Sequence, residues 1–102
     1  MAFSKLIRQF MVSSIERSII VSSWGISDIQ ISENKIEFNV CGFNFNGHIE
    51  LHELNDILIV TTSDAISLSF KSVNDVIDYL DLKIEYDENY LSNIGSIIER
   101  MP

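Results

Sequence analysis

His48, Glu50 and His52 stand at alternate positions of one short run, HIELH, and are the residues whose types and spacing come nearest to a chemical site. On a strand, alternate side chains share a face about 6.6–7 Å apart, so neighbours such as His48 and Glu50 can share a divalent metal. The two histidines are about 13 Å apart on that geometry and need a further ligand from an adjacent strand, where Glu37 or Asn39 could lie. The run carries no HExxH and no paired CxxC, so its simpler reading is the solvated face of an amphipathic strand. A metal-binding or hydrolytic domain built on this face is the alternative reading, and no metal or cofactor is expected.

Other nucleophiles lack a setting. Cys41 sits beside Gly42 at an expected hairpin turn, with no evident base or helix N-terminus to make it a thiolate. No Gly-x-Ser-x-Gly frames a serine, and there is no GxGxxG or P-loop for a nucleotide. No catalytic residue is assigned.

The densest charge is acidic. Asp75, Asp78, Asp81, Glu85, Asp87 and Glu88 face only Lys83, a local net charge of −5. The stretch lacks the alternating ligands and central glycine of a calcium loop. It is a solvated helix face or a docking surface for a partner that is basic at the contact. The charge of the chain agrees: residues 1–24 carry three bases against one acid, and the remainder four against fourteen, for −8 in all. Such a chain repels nucleic-acid phosphates and anionic lipid, which excludes both as expected partners.

The elements that would position these residues follow from periodicity. Phe3, Leu6, Ile7, Phe10, Met11, Ile15 and Ile19 predict an amphipathic N-terminal helix from Ala2 to about Ser22, stopped by Gly25. Arg17 falls beside that stripe and is expected to lie on apolar surface with its charge in water. Trp24, between helix and sheet, is expected to pack at the hinge or anchor a partner. The period then changes to two in five runs separated by short turns: Ile29 and Ile31; Ile36, Phe38 and Val40; Phe43, Phe45, Ile49 and Leu51; Asn55–Thr62; and Ile66, Leu68 and Phe70. These predict a five-stranded antiparallel meander with one apolar face. In Asn55–Thr62, Ile57 to Val60 place bulk on both faces, so that strand is either central and covered twice or at an interface, and homodimerisation would cover it.

Helical spacing returns with Val73, Val76, Ile77 and Leu80 behind Ser72, a capping residue, and again with Tyr90, Leu91, Ile94, Ile97, Ile98 and Met101 behind Asp87. The expectation is a single α+β domain over 1–102: an N-terminal helix, the meander, and two C-terminal helices, with all helices on one sheet face as a two-layer sandwich. One cysteine and no apolar run near 18 residues fit a soluble cytoplasmic protein. Abundant Ile, Ser and Asn fit a bacterial or phage genome rich in A and T. The functional expectation is a non-catalytic, small acidic interaction module of adaptor, chaperone, immunity or phage-inhibitor type.

Overall fold

In the segment from Lys35 to Cys41 every second residue is apolar, and in the computed structural model, which describes residues 2–86, Ile36, Phe38 and Val40 are all buried. The same alternation buries Ile49 and Leu51, then Leu58 and Val60. Five strands result: β1 (Ser27–Ser32), β2 (Lys35–Cys41), β3 (Asn46–Leu54), β4 (Ile57–Thr62) and β5 (Ser67–Phe70). They pair antiparallel in chain order, β1-β2-β3-β4-β5. Asn55 and Asp56 join β3 to β4 with positive φ at both, +52° and +62°, as a two-residue hairpin of the right hand requires.

One face of this sheet is covered by two helices that are far apart in sequence. Helix α1 (Lys5–Glu16) buries Leu6, Ile7 and Phe10, and helix α3 (Val73–Glu85) buries Val73, Val76, Ile77, Leu80 and Ile84. Between α1 and the sheet come one helical turn, α2 (Ser18–Val21), and a 3-10 turn over Ser22–Trp24. Burial of each large aliphatic side chain contributes roughly 1.5–3 kcal/mol. The layout is therefore α+β, with a five-stranded antiparallel sheet and helices packed on one face. The second C-terminal helix, expected behind Asp87, lies outside the described residues. No helix among the described residues is long and apolar enough to cross a membrane.

Four local expectations are corrected. The N-terminal helix does not run unbroken to Ser22: Arg17 leaves helical geometry at φ −106°, ψ 36°, and the chain restarts as α2. Ile15, in the last turn of α1, and Ile19, beyond the break, both face solvent. The charged end of Arg17 does not finish in water alone, because its guanidinium reaches the Asp78 carboxylate at 2.6 Å. Phe43 does not begin a strand. The backbone N–H groups of Asn44 and Phe45 instead bond the Ile84 carbonyl at 2.7 and 3.2 Å, capping the end of α3 and leaving Phe43 outside. Finally, Ser72 occupies the N-cap of α3 but its hydroxyl makes no cap bond. Strand β4 lies between β3 and the edge strand β5, and its second apolar row, Ile57 and Ile59, is half-buried.

Two glycines are required by geometry. Gly25 has φ +63°, and a Cβ there would come within 2.6 Å of the Cys41 carbonyl oxygen. A Cβ on Gly42 would meet the Ile84 carbonyl at 2.6 Å, so the close approach of the β2–β3 connection to α3 depends on its absence.

The facing of α3 and β5 is checked by two substitutions. Ile77→Asp, at a fully buried position, is expected to destabilise by about 3 kcal/mol or more. Ser67→Asp, on the opposite sheet face beside Thr61, is expected to cost less than about 1 kcal/mol. Urea unfolding of both variants measures the difference.

Candidate functional site

Strand register brings the sequence candidates of the wet face into one ladder. Asn39 stands opposite His48, Glu37 opposite Glu50, and Lys35 opposite His52. The His48 ring contacts Asn39 Oδ1 through Nδ1 at 2.9 Å and faces Glu37 through Nε2 at 3.7 Å. Lys35 Nζ lies 3.4 Å from Glu50 and 3.8 Å from Glu37, so an ammonium occupies the space a metal would need between the carboxylates. His52 is turned away and accepts from the Asn34 amide at 3.3 Å. Among the described residues no three His, Cys, Asp or Glu converge on a common metal position. Cys41 is exposed at the end of β2.

The acidic stretch is divided by the fold into different jobs. Asp75 lies exposed in the first turn of α3. Asp78 pairs with Arg17 and ties α3 to the end of α1. Asp81 accepts the indole N–H of Trp24 at 3.1 Å, and that indole is fully buried. Lys83 points away from the stretch, to Asp64 at 2.7 Å, and lies over the Phe45 ring. Glu85 is half-buried, with Oε1 enclosed and without a hydrogen-bond partner among the described residues. Asp87 and Glu88 lie outside the described residues.

Asp81 and Glu85 share a surface depression of about 460 Å³ with Ile19, Ile20, Phe43 and Tyr86. Ile19 and Phe43 are 90% and 91% exposed, the two barest large apolar side chains among the described residues. Neither was legible as a surface residue: Ile19 fits the helical stripe and Phe43 the strand alternation. The signals that could have found them are Arg17 interrupting the stripe and Gly42 preceding the turn. A second opening, of about 360 Å³, is lined by Phe10, Met11, Ile15, Ile26, Ile29 and Ile31 among others, and Ser14 supplies its lone polar side chain. It exists because β1 is an edge strand that neither α1 nor α3 covers.

Compared with protein-family models, with curated proteins and with solved structures, the chain matches none.

The Lys83 ammonium, and after it the Thr62 hydroxyl, hold the Asp64 carboxyl below the usual carboxylate value. A lowered folded value means that the stabilisation is fully present above the unfolded value of about 3.9 and is lost as pH falls through the folded one. The Asp64 side chain is 41% exposed, so screening limits the effect to below about 1 kcal/mol. Asp64→Asn is expected to be less stable than wild type at pH 6, with the gap closing in acid, as measured by urea unfolding at both pH values. A larger effect is expected at Asp81. Asp81→Leu strands the buried indole N–H and should cost about 1–3 kcal/mol, while Asp81→Asn, which retains an acceptor, should cost less than about 1 kcal/mol. Fluorescence of the single tryptophan during unfolding reads both variants.

Proposed function

We propose that this chain is a non-catalytic interaction module that docks a basic segment of a protein partner at the end of α3, in the depression between Phe43, Ile19 and Glu85. The observation that carries this reading is the pairing of two bare apolar side chains with the carboxylates of Asp81 and Glu85 around one depression. A partner presenting an aliphatic side chain next to Lys or Arg would cover the first and pair with the second. The C-terminal end of a helix carries partial negative charge, which adds to that of Asp81 and Glu85 and favours a cation there. The net charge of −8 steers such a partner inward, over about 8 Å at physiological salt. Phe43 is held in place, since the Asn44 and Phe45 backbone N–H groups donate to the Ile84 carbonyl and the Asn44 side-chain amide donates to that of Lys83.

Asp75 and Asp78 extend the acidic surface along α3 and, with the charges of Asp87 and Glu88 that follow in sequence, would act on encounter rate more than on the final contact. The wet-face alternative, a metal or hydrolytic site at His48, Glu50 and His52, is less well supported because Lys35 neutralises its centre.

A second reading is favoured by a separate observation. Ile29 and Ile31 of edge strand β1 are 58% and 43% exposed beside an apolar groove, and an uncovered edge of this kind invites pairing with a second copy. Light scattering that gives about twice 11.6 kDa at micromolar concentration supports the homodimer, and 11.6 kDa throughout removes it.

The docking reading is tested by titrating the full chain with a synthetic peptide of Arg and Leu, and with its Glu and Leu counterpart, followed by NMR. The basic peptide is expected to shift Ile19, Phe43 and Tyr86, with binding weakened about tenfold in Glu85→Gln and in Phe43→Ser. Equal binding of the acidic peptide, or shifts confined to another surface, would overturn it.

A further inference from the structure

The described residues include six Lys and Arg. Three of them, Arg17, Lys35 and Lys83, are ion-paired with Asp78, with Glu37 and Glu50, and with Asp64. The other three, Lys5, Arg8 and Lys71, have no carboxylate of the described residues within ion-pair distance, and all three line a single cleft. In a chain with fifteen acids against seven bases, chance would place carboxylates beside such side chains. Among the described residues no Asp or Glu lines this cleft. Its volume, about 740 Å³, lies within the roughly 300–1,000 Å³ range of small-molecule sites.

We propose that the cleft between the starts of α1 and α3 binds a soluble small molecule bearing a phosphomonoester, with Arg8, Lys5 and Lys71 as the cationic contacts. Three cations match a dianion, and the guanidinium fork of Arg8 suits paired phosphate oxygens. Gln9, Ser13, Ser72 and Asn74 line the remainder and offer hydrogen bonds to a hydroxylated body. The setting needs an anion on electrostatic grounds. Lys5 and Arg8 stand in the first turn of α1, and Lys71 just before α3, so positive side chains add to the positive ends of both helices. Glu53 answers part of this at α1, where its carboxylate accepts the Leu6 N–H at 2.7 Å, and Asp75 answers part at α3. Neither carboxylate lines the cleft. The overall charge of −8 opposes polyanions at long range, whereas a small dianion inside the cleft is screened from distant carboxylates beyond about 8 Å.

The test is NMR titration of the full chain with inorganic phosphate, with a hexose phosphate and with sodium chloride, all at one ionic strength. Phosphate and hexose phosphate are expected to shift the amides of Val73 and Asn74 and the Arg8 side chain, with hexose phosphate binding the tighter. Arg8→Gln and Lys71→Gln, both at exposed positions, should each weaken binding about tenfold, while Lys35→Gln leaves it unchanged. Chloride producing the same shifts, hexose phosphate binding no tighter than phosphate, or equal loss in Lys35→Gln would overturn the proposal. So would retention on vesicles containing phosphatidic acid that hexose phosphate fails to compete, since that places the phosphomonoester on a lipid.

Discussion

The hydrogen bond from the Trp24 indole to Asp81 is the joint on which the two layers depend. Helices α1 and α3 are separated in sequence by the whole sheet, yet they must lie side by side over one apolar face. Trp24 stands where the chain leaves the helical layer and enters β1, and its ring fills the space beneath both elements without exposure. A buried indole N–H without an acceptor would oppose that packing, so the ring can sit there only if α3 offers one. Asp81 offers it from the partly buried side of the helix. Gly25 then turns the chain in left-handed geometry against the Cys41 carbonyl, and the start of β1 follows. One polar contact thus fixes the rotation of α3, the exit of the N-terminal helices and the position of the first strand.

Fixing α3 in this way also fixes its polarity against its own surroundings. Favourable placement would put carboxylates at its start and cations at its end. Asp75 and Lys83 follow that rule, and Lys83 is then drawn off sideways to Asp64. The remaining side chains contradict it: Lys71 with Lys5 and Arg8 crowd the start, and Asp81 with Glu85 crowd the end. Each end stores electrostatic stress of opposite sign, and each opens on a surface hollow. Local conflict of this kind is expected at functional positions, where stability is conceded to binding.

The parts of the fold legible in the sequence were those governed by a single period. Strands β2 and β3, the turn at Asn55–Asp56 and the apolar stripe of α3 are all stated by alternation, turn chemistry or helical spacing, and the structure follows them. Ile15, Ile19, Ile29 and Phe43 were misread for one common reason. Periodicity reports which side of an element is apolar, but the cover over that side is a tertiary matter. Ile29 lies on the helix side of β1, and no helix reaches that edge. Phe43 keeps strand alternation, but Asn44 and Phe45 direct their N–H groups to α3 and not to a neighbouring strand. The acidic run was legible as charge and illegible as function, because Arg17 and Trp24, which bind two of its members, are 61 and 57 residues away.

The same distinction explains why the histidine face, the most suggestive string in the sequence, yields to the ends of α3. On a flat antiparallel sheet the register decides which charges meet, and here it sets Lys35 among Glu37 and Glu50 and Asn39 against His48. Lys35, Glu37, Asn39, His48 and Glu50 thus meet one another within the ladder, and His52 turns to Asn34, so the face has little left over with which to hold a ligand. At the ends of α3 the helix geometry spreads side chains outward, and neighbouring elements bring charges of like sign. Lys5, Arg8 and Lys71 cannot neutralise one another, and neither can Asp81 and Glu85. A surface whose charges close on themselves is structural in character, and one whose charges share a sign around a hollow retains capacity for a partner. By that criterion the two ends of the third helix, and not the histidine face, are the surfaces at which we propose binding.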